Sequence, residues 1–535
     1  MKGGQYKMFQ EFSSPAQHGR PFRKTNRMVY LVVAILLIGV MLTMLNIYEL
    51  HKMRLDHERH HDALVKIPET EAKGSDQTYP LNAAPIVWLQ GSPKSKNNGP
   101  TGYLKHVFRV FEKIGFSIGE RLSDWLVMWS HDYPFVTYSK DLKNLKPYQK
   151  VNHFPGSGFV TNKASLAQSK LDFIPKAFEI PAKKKEFLEY AGKHKNTSWV
   201  QKSNKHRGIR IKKVEELDFS KDGTFIQEYV SNPLLIDGRK FDIGIYTVLT
   251  SISPLRVYFI GGDALFRFCP LEYFPFDDSI PDKYVIGDDY LPLWKVASLE
   301  EFFVKNGYTF KNSFDAYLRS IGKDPFKLWE KMYSAIRQVF LMKEKDLIKA
   351  SLRYTSRRNF FEMVRFDFVV DDRLNVFLME ANMSPNLSSD HFPPNARLYE
   401  HVLYNLFGLV GVTHYTSSSS KKKMAYQDPA LVSSADIHVF PDFCHGDDCS
   451  NNCSKFKCKL CRGCITRDFE IDLKLAFLEH QRRGSARRVF PPPMNQSEAL
   501  AWTPDSTVLD KYNGSNRLMF MWFIGKCRLD VGWCH

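Results

Sequence analysis

The sequence predicts an α+β fold, and three observations carry that reading. Apolar residues recur at helical spacing in two well-separated stretches, 103–114 and 326–341. Strand-like runs lie between them at 198–202, 224–230, 241–250 and 256–260, without the regular alternation of a doubly wound sheet. Two apolar-alternating runs, 365–370 and 375–380, flank Asp371-Asp372, a turn signal, and so read as a β-hairpin.

Taken in chain order, residues 1–27 form a basic tail. Residues 28–45 follow without a charge, and Asn46, Ile47 and Tyr48 extend the run. This is near the length of a helix that crosses a bilayer, and no small-residue cleavage site follows it. The expectation is a transmembrane helix over 28–48 and a single-pass membrane protein. Arg20, Arg23, Lys24 and Arg27 precede the run, and Lys52, Arg54 and Arg59 follow it. That bias leans toward a lumenal body and leaves the side open. Residues 49–80 read as a polar stalk, 81–412 as the globular core, 413–440 as a Ser- and Lys-rich linker, and 441–535 as a Cys-rich region.

In the second stretch Leu328, Trp329, Met332, Tyr333, Ile336, Val339 and Phe340 fall on one helical face and are expected in the core. A further helix is expected at about 396–407. Hydrophobic residues at 43% and charged residues at 25% fit a folded chain rather than a disordered one. The formal net charge of +17 favours an acidic partner: nucleic acid, anionic lipid or an acidic polypeptide. No RNP-type motif, Cys2His2 spacing or Arg-rich repeat is present, which argues against nucleic acid.

The sharpest chemistry lies in the hairpin. With a two- or four-residue loop, Asp367 pairs with position 376 or 378, and Glu380 and Asn382 then share its sheet face. Phe366, Phe368, Phe377 and Met379 would cover the other face. Two carboxylates and an amide oxygen suit Mg²⁺, a hard cation that keeps sites for water and phosphate. A solvated sheet face is the alternative. There is no G-x-x-x-x-G-K-[ST] string, so a Walker-type site is disfavoured. Lys202, at the end of SWVQK, and Lys240, in DGRKFD, could instead neutralise phosphate as point charges.

Together these segments resemble the tubulin tyrosine ligase-like family. The matching stretches are VNHFPGSGFVTNK (151–163), WVQKSNKHRGIRI (199–211), FIQEYVSNPLLIDGRKFDIGIYTVLTS (225–251) and FFEMVRFDFVVDDRLNVFLMEANMSPNL (360–387). The resemblance implies an ATP-grasp fold for 81–412, with ATP and Mg²⁺ as cofactors. It implies that Lys163 and Lys202 contact ATP phosphates, that Gln227 and the backbone at Tyr229 and Val230 hold adenine, and that Lys240 and Asp242 reach the ribose and phosphate end. Asp367, Glu380 and Asn382 would hold magnesium, and Arg267 would face the acceptor. The implied catalytic residues are Lys202, Arg267 and Glu380. The implied reaction joins a free amino acid, glutamate, to a carboxylate in the acidic tail of tubulin or another acidic protein.

Three departures leave open an alternative, a catalytically inactive member that only binds ATP or tubulin. Gly244 stands where the family carries an arginine that binds the acceptor or incoming amino acid. The usual R-G-x-G-I string is Arg207-Gly208-Ile209-Arg210-Ile211 here. The stretch 282–294 does not match the family pattern. Eight of the nine cysteines follow residue 440, which points to disulfides, or to zinc at the Cys458-x2-Cys461-x2-Cys464 cluster.

Overall fold

In the computed structural model, residues 84–91, 102–203, 209–414, 431–446, 449, 452–504 and 506–535 are described, with four positions between 39 and 44. The chain separates into two units, Met1–Tyr79 and Pro80–His535. The second unit holds every element below.

Its first layer is a parallel sheet of β1 (Ile86–Gln90), β2 (Ser117–Gly119), β3 (Val127–Ser130) and β4 (Lys150–Val151), ordered β2-β1-β3-β4. Helix α1 (Lys105–Lys113) crosses over between β1 and β2, as parallel pairing requires. This layer did not figure among the expected strands.

Helix α2 (Lys163–Ala167) is short and capped by the Asn162 side chain, which accepts from the Ser165 amide at 3.0 Å. A second, antiparallel sheet follows, built from β5 (Ala177–Ile180), β6 (Trp199–Ser203), β7 (Ile211–Lys212) and β8 (Thr224–Glu228). Phe178, Ile180, Trp199 and Ile226 bury one face of it against Phe187 of helix α3 (Lys184–Lys193).

The largest sheet is organised by one long strand. β9 (Leu235–Ile236) turns through Asp237-Gly238, both at positive φ, into β10 (Arg239–Ile252). Such a pair is the usual two-residue hairpin connection. β11 (Leu255–Ile260) and β12 (Leu265–Phe268) pair with β10, and β13 (Leu291–Pro292) pairs with β12. The expected hairpin is β14 (Glu362–Val370) and β15 (Val376–Asn382), and β14 pairs with β10.

Helix α4 (Pro325–Ser351) packs beneath this sheet, with Phe340 and Phe366 rings 5.6 Å apart. Six residues of its anticipated stripe are buried and Tyr333 is half-buried. Helix α5 (Asn395–Leu409) meets α1 through Phe111 and Phe407, whose rings are 4.3 Å apart.

The Cys-rich region does not stand apart from the core. Its strand β16 (Ala486–Phe490) pairs with β11 and extends the large sheet. Helices α6 (Arg467–Arg482) and α7 (Gly514–Leu529) enclose a second apolar core that includes Leu473, Met519, Trp522 and Trp533. The cysteines pair as Cys444–Cys461, Cys449–Cys458, Cys453–Cys464 and Cys527–Cys534, leaving Cys269 buried and free. Disulfides, not zinc, therefore account for the 458–464 cluster.

The expectation of a single-pass membrane protein is overturned. Among the described residues no helix is long and apolar enough to cross a membrane. A hydrocarbon core of ~30 Å needs about 20 apolar helical residues, and the longest helix among the described residues, α4, has charged side chains along its length. The segment 28–48 itself lies almost wholly outside the described residues, as do Arg207 and Gly208.

Candidate active site

The site is a row of charged side chains across four neighbouring strands. In β10, Asp242, Gly244 and Tyr246 face one side, while Phe241, Ile243 and Ile245 face the core. Opposed residues share a face. Asp242 therefore stands beside Arg267 of β12, Gly244 beside Asp367 of β14, and Tyr246 beside Arg365. On the far side of β14, Asp367 meets Glu380 and Arg365 meets Asn382.

A β-bulge brings Glu380 to that place. Near the turn, Val370 pairs with Val376 and Phe368 with Leu378, and that register would set Met379 opposite Asp367. The register shifts by one residue between Phe368 and Asp367, so Glu380 takes the position instead. The loop holds five residues, closed by Asp371, which accepts from the Asn375 amide at 2.6 Å. The face-sharing inferred from a shorter loop is thus reached by a different route. Leu378 and Ala381, rather than Phe377 and Met379, share the core face with Phe366 and Phe368.

The side chains form one network. Arg267 grips Asp242 with two bonds of 2.9 and 2.6 Å and reaches Asp367 at 2.9 Å. Arg365 grips Asp367 at 2.7 and 2.8 Å. The Asn382 amide lies 3.0 Å from Asp367 and 3.2 Å from Glu380, and Lys163 meets Glu380 at 2.6 Å. Burial alone would raise the Glu380 carboxyl, but Lys163, Arg267 and Arg365 overcome it and hold it far below the usual carboxylate range. Burial pushes Asp242 up to about 6 against the pull of Arg267.

Two further lysines act on the network. Lys202 on β6 donates to Gln227 on β8 at 2.9 Å, and Gln227 donates to the Pro175 carbonyl at 3.1 Å. Lys240 donates to the Tyr284 carbonyl at 3.0 Å and to Tyr229 at 3.2 Å, and lies 4.4 Å over the Tyr229 ring. Val230 follows Tyr229, half-buried. Burial lowers both ammonium groups to about 8. For Lys202 it is opposed by Glu380 and reinforced by Lys163 and Lys240; for Lys240, Cys269 and Asp242 oppose it.

A pH dependence follows. Both lysines are charged at pH 7 and lose their protons as pH rises through about 8 instead of 10.5. Affinity for a polyphosphate should then weaken by up to ~tenfold per lysine per pH unit above 8. Titrating a fluorescent ATP analogue at pH 7 and pH 9 measures this, and a Lys202→Met variant should flatten the profile.

The donor set fits a hard cation. Asp367, Glu380 and Asn382 converge at one end of the network, and a half-turn of the Asn382 amide presents its oxygen there. Lys163, Lys202, Lys240, Arg267 and Arg365 face the carboxylates of Asp242, Asp367 and Glu380, an excess of positive charge that suits a polyphosphate. Beside Lys163 and Asn382 opens a cleft of about 960 Å³, lined also by His131 and Arg353.

Sequence reasoning overlooked three contributors. Arg365 precedes Asp367 by two residues, a spacing that puts both on one strand face. Tyr284 and Tyr290 come from 282–294, the stretch that departs from the family pattern. Tyr284 supplies the carbonyl to Lys240, and the Tyr290 hydroxyl accepts from Asn395 at 2.7 Å.

Residues 140–421 match the model of the tubulin-tyrosine ligase family. A probable tubulin polyglutamylase of Caenorhabditis elegans is 41% identical over 462 residues, covering 84% of this chain and 87% of that protein. A tubulin monoglutamylase of Homo sapiens is 27% identical over 316 residues, 55% of this chain and 26% of that protein. A tubulin polyglutamylase of Homo sapiens is 27% identical over 346 residues, 60% of this chain and 37% of that protein.

Proposed function

Because the chain belongs to the tubulin-tyrosine ligase family, we propose that it is an ATP- and Mg²⁺-dependent ligase joining glutamate to a carboxylate in the acidic tail of tubulin. The catalytic unit is an ATP-grasp domain over 81–412. The observation that carries this reading is the unbroken network from Asp242 through Arg267, Asp367, Asn382 and Glu380 to Lys163.

In such a ligase the acceptor carboxylate takes the γ-phosphoryl group of ATP and ADP leaves. The glutamate amine then attacks the acyl phosphate, a C–N bond forms, and phosphate and a proton depart. Lys163, Lys202 and Lys240 hold phosphate oxygens and spread their charge, and Arg267 orients a carboxylate by its two-pronged fork. Mg²⁺ held by Asp367, Glu380 and Asn382 would add Lewis-acid stabilisation at the phosphates. The open cleft beside Lys163, with Arg353 and His131 on its wall, suits an acidic peptide. The relatives named above are described as tubulin glutamylases, which supports the choice of tubulin and of glutamate.

Binding without catalysis was suggested by Gly244 and by 282–294. Arg365 beside Gly244, and Tyr284 at Lys240, weaken both grounds. The test is transfer of labelled glutamate to tubulin by the purified chain. Incorporation that requires ATP and an intact acidic tail is expected. Tight ATP binding with no transfer to tubulin or to tail peptides would sink the proposal.

A further inference from the structure

A second cavity, of about 290 Å³, lies where the Cys-rich region meets the core. One wall is α6, through Asp468, Asp472 and Glu479, and the others are β10, β11 and the segment that joins α4 to β14. β10 shifts register against β11 between Leu249 and Ser251, and Thr250 and Ser251 both reach the cavity. None of the residues proposed for the ligase chemistry lines it.

The charges of this lining do not cancel. Lys150, Arg256, Arg357 and Arg358 stand against the three carboxylates of α6, and all three carboxylates are already taken. Glu479 accepts from Arg256 Nε and Nη2, and Asp472 and Asp468 each accept from Arg358 at 2.8 Å. Arg256 is buried, and its Nη1 finds no hydrogen-bond partner among the described residues. The Arg357 side chain makes no hydrogen bond or ion pair among the described residues, and the Ser251 and Ser253 hydroxyls are likewise unengaged. Lys150 donates to the Arg358 carbonyl at 2.6 Å. Burial lowers its ammonium to about 8, with Glu479 opposing and Arg256 and Arg358 reinforcing. An anion between these cations would relieve their mutual repulsion.

We propose that this cavity binds a small tetrahedral oxyanion, phosphate as the free ion or as a phosphomonoester, and that the anion clamps the Cys-rich region onto the core. The free donors decide the shape. The forks of Arg256 and Arg358 are spent on carboxylates of α6, which leaves Arg256 Nη1, Arg357 and two serine hydroxyls. These come from β11, from the 357–359 turn and from the end of β10, so they are spread over separate elements rather than set in one plane. Such donors suit an anion whose oxygens point in several directions better than a flat carboxylate.

Titration calorimetry on the full, disulfide-intact chain tests this, with inorganic phosphate, glycerol 3-phosphate and acetate as probes. A saturating non-hydrolysable ATP analogue keeps the probes from the nucleotide site proposed above. One phosphate per chain is expected, weakened at least ~tenfold by Arg357→Gln and changed less than about twofold by Lys202→Met. The thermal unfolding midpoint should rise with the logarithm of phosphate concentration in the wild-type chain and not in Arg357→Gln. Tighter binding of glycerol 3-phosphate would identify a phosphomonoester as the ligand, and equal or weaker binding the free ion. Should Arg357→Gln fail to fold, Ser251→Ala with Ser253→Ala removes two donors from another wall, and a loss of about threefold or more is expected. Heat and stabilisation that chloride reproduces at the same ionic strength, phosphate affinity unchanged in these variants, or acetate bound as tightly as phosphate overturns the assignment.

Discussion

Glu380→Gln should lower ATP-dependent glutamate transfer about a thousandfold, a loss of ~4 kcal/mol of transition-state stabilisation. The carboxylate is fully ionised at every working pH, because Lys163, Arg267 and Arg365 hold its pKa far below the usual range despite burial. The amide therefore removes a whole charge while keeping shape. That charge is one of three groups proposed for the cation, and it anchors Lys163 at 2.6 Å. Its loss leaves one amide oxygen where two carboxylate oxygens now accept from Lys163 and Asn382. Nucleotide affinity should fall less than turnover, since Lys202 and Lys240 are held by other partners. The fold should survive, because Glu380 sits at the rim of the site and is 24% exposed. Transfer at the wild-type rate by a folded Glu380→Gln chain would remove Glu380 from the site.

The hairpin shows how a right answer can rest on an incomplete reason. Period-two alternation placed Glu380 and Asn382 with Asp367, but only by assuming an even loop. The true loop holds five residues, and a bulge restores the parity. Nothing in the local string announces a bulge, since the extra residue is chosen by packing on both faces. Arg365, by contrast, was legible: two residues before Asp367 on a strand is the same face.

The N-terminal parallel strands escaped for a different reason. IVWLQ and VMWS are short, buried runs with no alternation, and such strands carry no period to read. The stretch 282–294 looked empty because its contribution to Lys240 is the Tyr284 carbonyl, which any residue can supply. The apolar run at 28–48 shows the limit of composition. Hydropathy marks a candidate span, and this one falls almost wholly outside the described residues, among which no helix is long and apolar enough to cross a membrane.

The largest stability effect is expected at the junction between the Cys-rich region and the central sheet. Glu479 of α6 accepts from Arg256 Nε and Nη2 at 2.8 and 3.0 Å, from the Tyr258 hydroxyl at 3.1 Å and from Thr250 at 3.1 Å. Arg256 and Glu479 are each 2% exposed, so the pair is fully desolvated. Arg256 Nη1 finds no hydrogen-bond partner among the described residues, so Glu479 is the carboxylate that takes the side-chain hydrogen bonds of the guanidinium, with Asp472 adding charge nearby. Glu479→Ala would leave a buried cation and two hydroxyls without their acceptor, at a cost of about 3–5 kcal/mol. Replacing both partners by apolar residues, Arg256→Met with Glu479→Leu, removes the buried charge along with its partner and should regain most of that loss. Denaturation of the disulfide-intact chain measures both. If Glu479→Ala cost no more than the double variant, charge burial would not be what couples α6 to β11. The two regions would then be held by the β11–β16 pairing and the packing around it, and Arg256 would be a solvated group that the structure only brings close.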